Sequence, residues 1–385
     1  TVEFLLSGDE FYFLEVNARL QVEHPVTEEI IGHDLVREQI RVAEGELLSF
    51  SQEDLSINGH AIEARLYAEN PENRFLPSPG PVVAWEPSTL ANARFDSGVE
   101  SGNEIGTDFD PMIAKVIVHA PTRREAANRL ARVLESTRVQ GLITNRDFLV
   151  ATLRTPEFLA GDTTTDFIER VQPSLTRVPD EDERIQACIA AILEGQARRR
   201  AAAKVMRSIQ TGWRNSYMPH EKISFMIGGE QVDLQYRSQR DGTFKVVVGE
   251  RDLIVTPYVC GDGVVDASID GRRLKFHINN HGMTWFVHGT GGDMALIQQP
   301  RYPSSALELS AGSLTAPMPG AVLTTAIKPG DTVSKGQLLL ILEAMKMEHK
   351  ITAPLDGVVS DLHVQVGDQV ENGQLLVTLA EEDGS

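Results

Sequence analysis

The sequence predicts a multidomain α+β protein built of three successive parts, and three observations predict it. The hydrophobic period changes along the chain, from mixed strand and helix patterns to one long helix and then to a period of two. Glycine-rich turn pairs then recur at short intervals, as in an antiparallel meander or barrel. The last part repeats itself. With 385 residues, 41% of them hydrophobic and 24% charged, the chain has a globular balance suited to about two or three domains.

Residues 1–175 form the mixed part. Early strand patterns are followed by expected helices over 27–43 and 122–137, the second opening on Thr122-x-x-Glu125, a capping box. The first residues, Thr1-Val-Glu-Phe-Leu-Leu6, show neither an initiator methionine nor a signal-peptide layout and read as the inside of a strand, so a fragment is expected. One long helix is expected over 180–208, acidic at its start (Asp180 to Glu183) and basic toward its end (Arg198 to Arg200, Lys204, Arg207), as the helix dipole favours. From Lys222 to Gln299, turn pairs at Gly228-Gly229, Asp241-Gly242, Gly261-Asp262-Gly263, Asp270-Gly271 and Gly291-Gly292 separate short strands, so 180–300 should be a helix plus a small antiparallel β-barrel. His288-Gly-Thr-Gly-Gly292 has the glycines of a phosphate cradle but no Lys-Ser/Thr ending, and reads as a hairpin turn. Residues 301–314, rich in Pro and Ser, read as a linker before a final domain over 315–382.

Composition removes several function classes. A net charge of −19 at pH 7 disfavours nucleic-acid binding, and no apolar run is long enough to span a membrane. Cys188 and Cys260 share no CxxC or ligand spacing, which argues against a disulfide framework or a zinc site. A reducing compartment is expected, the cytoplasm or, in a eukaryote, the mitochondrial matrix.

The final domain holds a repeat. Ala316-Pro-Met-Pro-Gly-Ala-Val322 recurs 37 residues later as Ala353-Pro-Leu-Asp-Gly-Val-Val359, and Gly336-Gln-Leu-Leu339 recurs at the same offset as Gly373-Gln-Leu-Leu376. Two such copies facing each other make a flattened β-barrel that buries Val and Leu positions neither copy could bury alone. Between them, Glu343-Ala-Met-Lys-Met-Glu-His349 should be an exposed hairpin with Lys346 at its centre. An exposed lysine is ordinarily just solvated, but Met345 and Met347 beside it mark a recognition point, and a lysine on a tip suits a tether. Together these features resemble the biotinyl domain of biotin-dependent carboxylases, whose Ala-Met-Lys-Met tip is read by biotin protein ligase. The related lipoyl tip usually carries Asp-Lys-Ala or Asp-Lys-Val. The resemblance implies biotin in amide linkage to Lys346, flanked by Met345 and Met347.

Near the start, Glu15, Asn17, Arg19, Gln21 and Glu23 alternate with Leu14, Val16, Ala18, Leu20 and Val22, so an extended chain puts the polar set on one face. A half-exposed strand would show the same alternation, yet this set contains no Ser, Thr or Lys, and its carboxylates, amides and guanidinium suit metal and anion binding. Eight residues at about 3.3 Å span roughly 26 Å, too far for one small site, so the chain is expected to leave the strand near Arg19. If 4–7 and 11–14 pair, a three-residue loop, Gly8-Asp9-Glu10, sets Glu3 opposite Glu15, whereas a two- or four-residue loop puts them on opposite faces. Two carboxylates and an amide would then hold magnesium at nucleotide phosphates.

The wording Phe11-Tyr-Phe-Leu-Glu-Val-Asn-Ala-Arg-Leu-Gln-Val-Glu-His-Pro-Val-Thr-Glu28 resembles the signature of the biotin carboxylase component, an ATP-grasp enzyme, and Gly59-His-Ala-Ile-Glu-Ala-Arg-Leu-Tyr-Ala-Glu69, Phe75-Leu-Pro-Ser-Pro-Gly80 and Asp110-Pro-Met-Ile-Ala-Lys115 continue it. The resemblance implies the C-terminal part of an ATP-grasp domain followed by the biotin carboxylase C-terminal subdomain. Glu3, Glu15 and Asn17 would then hold Mg2+ or Mn2+, and Arg19, Gln21 and Val22 would bind bicarbonate. Glu23 would be its general base, and Arg65 would stabilise the enolate of biotin. In that family the Gly-rich lid and nucleotide-contacting lysines lie upstream of the position of Thr1, so this chain alone is expected not to bind its substrate ATP productively.

The helix and barrel of 180–300 are similar in order and size to the BT domain that docks acyl-CoA carboxylase α subunits onto carboxyltransferase β subunits. Pyruvate carboxylase and urea carboxylase would need a larger insertion here. The implied partners are a carboxyltransferase β subunit and biotin protein ligase, in a homo- or hetero-oligomer. Met-Lys-Met-Glu-His leans slightly toward methylcrotonyl-CoA over propionyl-CoA or acetyl-CoA types. The alternative function is a biotin carrier and interaction module without ligase activity of its own.

Overall fold

In a computed structural model of the protein, the described residues are 1–107, 109–205, 215–216, 219–301, 313–317, 319–344, 347–371 and 373–380. Strands Val2–Ser7 and Glu10–Val16 form an antiparallel hairpin at the start. Their turn is the two residues Gly8-Asp9, with Ser7 opposite Glu10, and not the expected three-residue loop. Gly8 takes φ +62°, a backbone that glycine adopts without a Cβ penalty. A two-residue turn alone would send Glu3 and Glu15 to opposite faces. The register shifts between Glu3 and Phe4, leaving Leu14 as an extra residue, and this bulge brings Glu3 back opposite Glu15. The strand ends at Val16, so the chain departs before Arg19, somewhat earlier than expected.

The helix expected over 27–43 is two helices, His24–Ile31 and Leu35–Ala43. Gly32 ends the first in the left-handed conformation, and the Asp34 carboxylate starts the second by accepting from Arg37 N at 2.8 Å. Next comes a three-stranded antiparallel sheet with Met112–Ala120 between His60–Tyr67 and Ala93–Ser97. Its apolar face, with Ala64, Val116 and Val118, packs on Leu130, Ala131 and Leu134 of helix Arg123–Ser136. Its other face is charged, and helix His24–Ile31 lies against it.

Helix Glu181–Ala202 begins on a capping box between Asp180 and Glu183. Eight strands from Glu221–Ile227 to Gly292–Gln298 then close into an antiparallel barrel, sealed by Phe225 opposite Gln298 and Met226 opposite Ile297. The helix runs inside this barrel. Ala187 to Leu193 are buried in succession, in one apolar cluster with Phe225, Leu234, Val255, Ile278, Val287 and Leu296. A helix buried on every face must be apolar all round, as Ala187-Cys-Ile-Ala-Ala-Ile-Leu193 is. Its one buried charge, Glu194, accepts from Arg198 Nε at 2.6 Å and from Gly263 N at 3.1 Å. Gly228-Gly229, Asp241-Gly242, Asp262-Gly263 and Asp270-Gly271 fall between strands as expected, whereas Gly261 and Gly292 are strand-end residues, and Gly249-Glu250 and Gly282-Met283 supply two further turns.

The hairpin closed by Gly289 and Gly292 reaches back to the first part of the chain. Asp293 accepts from Gln140 Nε2 at 2.7 Å, from His288 Nδ1 at 3.0 Å and from Arg146, while Asn279 Nδ2 donates to Gln140 Oε1 at 2.8 Å. Gly291 packs so closely that a Cβ there would lie 2.2 Å from Arg177 Nη2 and 2.8 Å from Glu183 Oε1. The turn is thus a docking wedge between barrel and subdomain.

The residues expected as a linker lie almost wholly outside the described ones. Beyond them are two four-stranded sheets. Strands Gly320–Thr325, Thr332–Val333 and Leu338–Ala344 correspond at the repeat offset to Gly357–Leu362, Gln369–Val370 and Leu375–Ala380. Each copy places its strands in both sheets, so Val322, Leu340 and Leu342 share one core with Val359, Val377 and Leu379.

Candidate active site

The bulged hairpin brings two of the sequence candidates face to face. Asn17 Nδ2 donates to Glu3 Oε1 at 2.7 Å and to Glu15 Oε1 at 3.1 Å, so two carboxylates and an amide converge. The Asn17 backbone is fixed by Thr1, which accepts from Asn17 N at 2.8 Å. This all-oxygen donor set, with an amide oxygen available on rotation, fits a hard cation such as Mg2+ or Mn2+ that takes its remaining ligands from a phosphate. Among the described residues no group of three or more His, Cys, Asp or Glu forms a metal cage.

After the hairpin the chain curls and helix His24–Ile31 begins. The turn is held by His24 Nδ1 donating to the Gln21 carbonyl at 2.8 Å. Arg19, Gln21, Glu23 and His24 line a cavity of about 620 Å³ whose far wall is apolar, with Leu48 and Phe50. Val22 lies off that lining, and its carbonyl accepts from Lys115 Nζ at 3.3 Å.

Arg65 reaches this loop from strand His60–Tyr67. Its Nη2 donates to Glu23 Oε2 at 3.0 Å across 42 residues of sequence. Pairing in the sheet explains the reach: Arg65, Lys115 and Asp96 stand side by side across three strands on the charged face, and Glu63, Ile117 and Arg94 form the next row. Lys115 Nζ pairs with Asp96 at 3.1 Å, and Arg94 pairs with Asp96 at 2.9 Å and with Glu28 at 2.7 Å, which ties the sheet to the helix below the loop. Burial pushes the Asp96 carboxyl up, but hydrogen bonds from Arg94 and Lys115 outweigh it and hold the group below its ordinary range.

Glu3, Glu15 and Asn17 therefore form one group, and Arg19, Gln21, Glu23 and Arg65 a second. Lys115, Asp96, Arg94 and Glu63 were not singled out from sequence. Lys115 closes the quoted run Asp110 to Lys115, and Glu63 sits inside another, but only strand pairing shows that they face the loop.

At the other end of the chain, Met345 and Lys346 lie outside the described residues. The strands on either side, Leu338–Ala344 and Met347–Thr352, pair antiparallel with Leu342 opposite His349 and Glu343 opposite Glu348. The pairing runs up to Ala344 opposite Met347.

Comparison with known proteins agrees with this order of parts. The family description "Carbamoyl-phosphate synthase L chain, ATP binding domain" matches residues 1–51, and "Biotin carboxylase C-terminal domain" matches 63–170. "Methylcrotonyl-CoA carboxylase, alpha-subunit, BT domain" matches 183–301 and "Biotin-requiring enzyme" matches 312–379. The chain is 36% identical over 371 residues to the mitochondrial methylcrotonoyl-CoA carboxylase subunit alpha of Mus musculus, an alignment covering 91% of this chain and 51% of that one. It is 34% identical over 384 residues to the propionyl-CoA carboxylase alpha chain of Ruegeria pomeroyi, covering 91% and 56%. The chain spans about half the length of the curated relatives it matches. Signature, barrel and repeat thus coincide in order with these matches, and the chain is similar, over about half of their length, to methylcrotonoyl-CoA and propionyl-CoA carboxylase alpha subunits.

Proposed function

We propose that this chain is the C-terminal portion of an acyl-CoA carboxylase α subunit that carboxylates biotin on Lys346, using ATP and bicarbonate, and delivers it to a carboxyltransferase β subunit. The division proposed is 1–175 for the ligase portion, 180–300 for docking, 301–314 for the linker and 315–382 for the carrier. The observation that carries the ligase reading is the Arg65–Glu23 pair beside Arg19 and Gln21, at the rim of a cavity. A guanidinium meets a planar carbonate through parallel hydrogen bonds, so Arg19, with Gln21 and the Val22 backbone, holds the anion. Glu23 accepts the proton of bicarbonate. Arg65 sets a cation where an oxyanion develops. Glu3, Glu15 and Asn17 would hold Mg2+ or Mn2+, which when bound neutralises nucleotide phosphate charge.

A carrier without ligase chemistry has no use for this constellation. Both methylcrotonoyl-CoA and propionyl-CoA relatives support an acyl-CoA substrate, and we favour the former for the Met-Lys-Met-Glu-His wording. We further propose biotin protein ligase as the modifying partner, a homo- or hetero-oligomeric assembly, and a cytoplasmic or matrix location. No helix among the described residues is long and apolar enough to cross a membrane. The test uses the longer α subunit of which this chain is proposed to be the C-terminal portion: carboxylation of its biotin from labelled bicarbonate with ATP, for wild type and Glu23→Gln. Loss of about 100-fold or more in Glu23→Gln is expected for a general base; an unchanged rate would contradict the assignment.

A further inference from the structure

Glu63 is a carboxyl with a buried side chain that the proposed chemistry leaves unused. It stands two residues before Arg65 on the same strand and face, and its side chain is only 5% exposed. Oε1 lies 3.9 Å from Arg65 Nε, and Oε2, also buried, has no hydrogen-bond partner. The charged groups facing it are Arg65 on its own strand, Lys115 on the adjacent strand, and Glu23 and His24 at the start of the helix packed over the sheet. Lys115 is committed to Asp96 and to the Val22 carbonyl. A buried carboxylate oxygen without a donor costs free energy until one arrives, and burial accordingly pushes the Glu63 carboxyl above its ordinary range.

Arg65 meanwhile stands between two carboxylates. Its Nη2 bonds Glu23 at 3.0 Å while its Nε merely approaches Glu63. The guanidinium holds Oε2 of Glu23, so the carboxylate can turn both oxygens toward a substrate anion only once Arg65 lets go. Resting on the function proposed above, we propose that Glu63 is a positioning residue: it is the second carboxylate for Arg65, taking up the guanidinium as Glu23 turns to the substrate. No covalent bond forms or breaks in this exchange. The free Oε2 gains its missing donor, and Arg65 keeps a counter-ion throughout.

The experiment measures biotin carboxylation by the full-length α subunit as a function of pH and bicarbonate, for wild type, Glu63→Gln, Glu63→Asp, Arg65→Ala and the double variant Glu63→Gln with Arg65→Ala. Glu63→Gln should lower kcat about tenfold, in the range of coupled neighbours, with the bicarbonate KM changed less than about twofold and the acid limb of the kcat profile displaced. Glu63→Asp should recover part of the loss. In the Arg65→Ala background Glu63→Gln should do nothing further, because it acts through Arg65. A full tenfold loss in both backgrounds, tracking a lower melting temperature, would show a merely structural role and overturn the proposal. So would wild-type kcat in Glu63→Gln. A wild-type full-length α subunit that carboxylates no biotin would overturn the underlying function and this inference with it.

Discussion

Substituting Asp293 should loosen the barrel from the subdomain before it. Asp293 is buried at the root of the Gly289–Gly292 hairpin, where Arg146, Gln140 Nε2 (2.7 Å), His288 Nδ1 (3.0 Å) and Val139 N (3.3 Å) all donate to it. Arg146 is buried too, its side chain 7% exposed, and its other carboxylate partner is Asp147 at 3.1 Å. Breaking a buried ion pair by deleting one member typically costs 3–5 kcal/mol, because the other charge stays behind. Asp147 still offsets part of that charge, so Asp293→Ala should cost about 3 kcal/mol, roughly 150-fold in an opening equilibrium. Hydrogen exchange read by mass spectrometry localises the effect: amides of Arg138–Gln140 and Gly292–Gln298 should exchange about 100-fold faster, while the two sheets of the last domain are unchanged. Less than threefold acceleration would refute the view that this contact holds the two parts together.

The same residue predicts a pH dependence. Burial alone would push the Asp293 carboxyl up, but the Arg146 charge and the His288 hydrogen bond hold it below its ordinary value of 3.8. A depressed carboxyl contributes stability that is present above that value and is lost as pH falls through the folded-state value. Protection at this contact should therefore fall below about pH 4 in wild type. Asp293→Asn should start weaker and lose none further over that range.

Arg198→Ala should destabilise the barrel by about 3 kcal/mol in urea unfolding, since it strips the fully buried Glu194 of its cation and leaves it only Gly263 N; a change under 1 kcal/mol would contradict it. Cys188, whose thiol burial pushes up to about 12, and Cys260, pushed up to about 11 chiefly by burial, should both resist iodoacetamide at pH 8 until the chain is denatured. Rapid native labelling of Cys188 would mean that the helix does not lie inside the barrel.

Local chemistry was readable and long-range register was not. Turn glycines and the period of two announced the barrel strands, and the repeat announced two equivalent sets of strands, because each is written in adjacent residues; that each set divides between both sheets was not readable. The opposition of Glu3 and Glu15 was foreseen through the wrong loop: the turn is two residues long, and a bulge at Leu14 corrects the parity, a detail set by pairing energetics along the whole hairpin. Gly32 breaks a helix that apolar spacing alone would continue. The apolar run from Ala187 to Leu193 did contain the signal that the helix is encased, but only the barrel supplies its surroundings. Arg146 with Asp293, 147 residues apart, and Glu63 with the loop of Glu23 are products of tertiary folding that no spacing reveals.

The central claim is that Lys346 is the tether of a biotin carrier. Its most direct test is the intact mass of this chain after co-expression with biotin protein ligase, for wild type and Lys346→Arg. The account predicts one added biotinyl group on wild type and none on the variant. An unmodified wild type, or a modified variant, would contradict it.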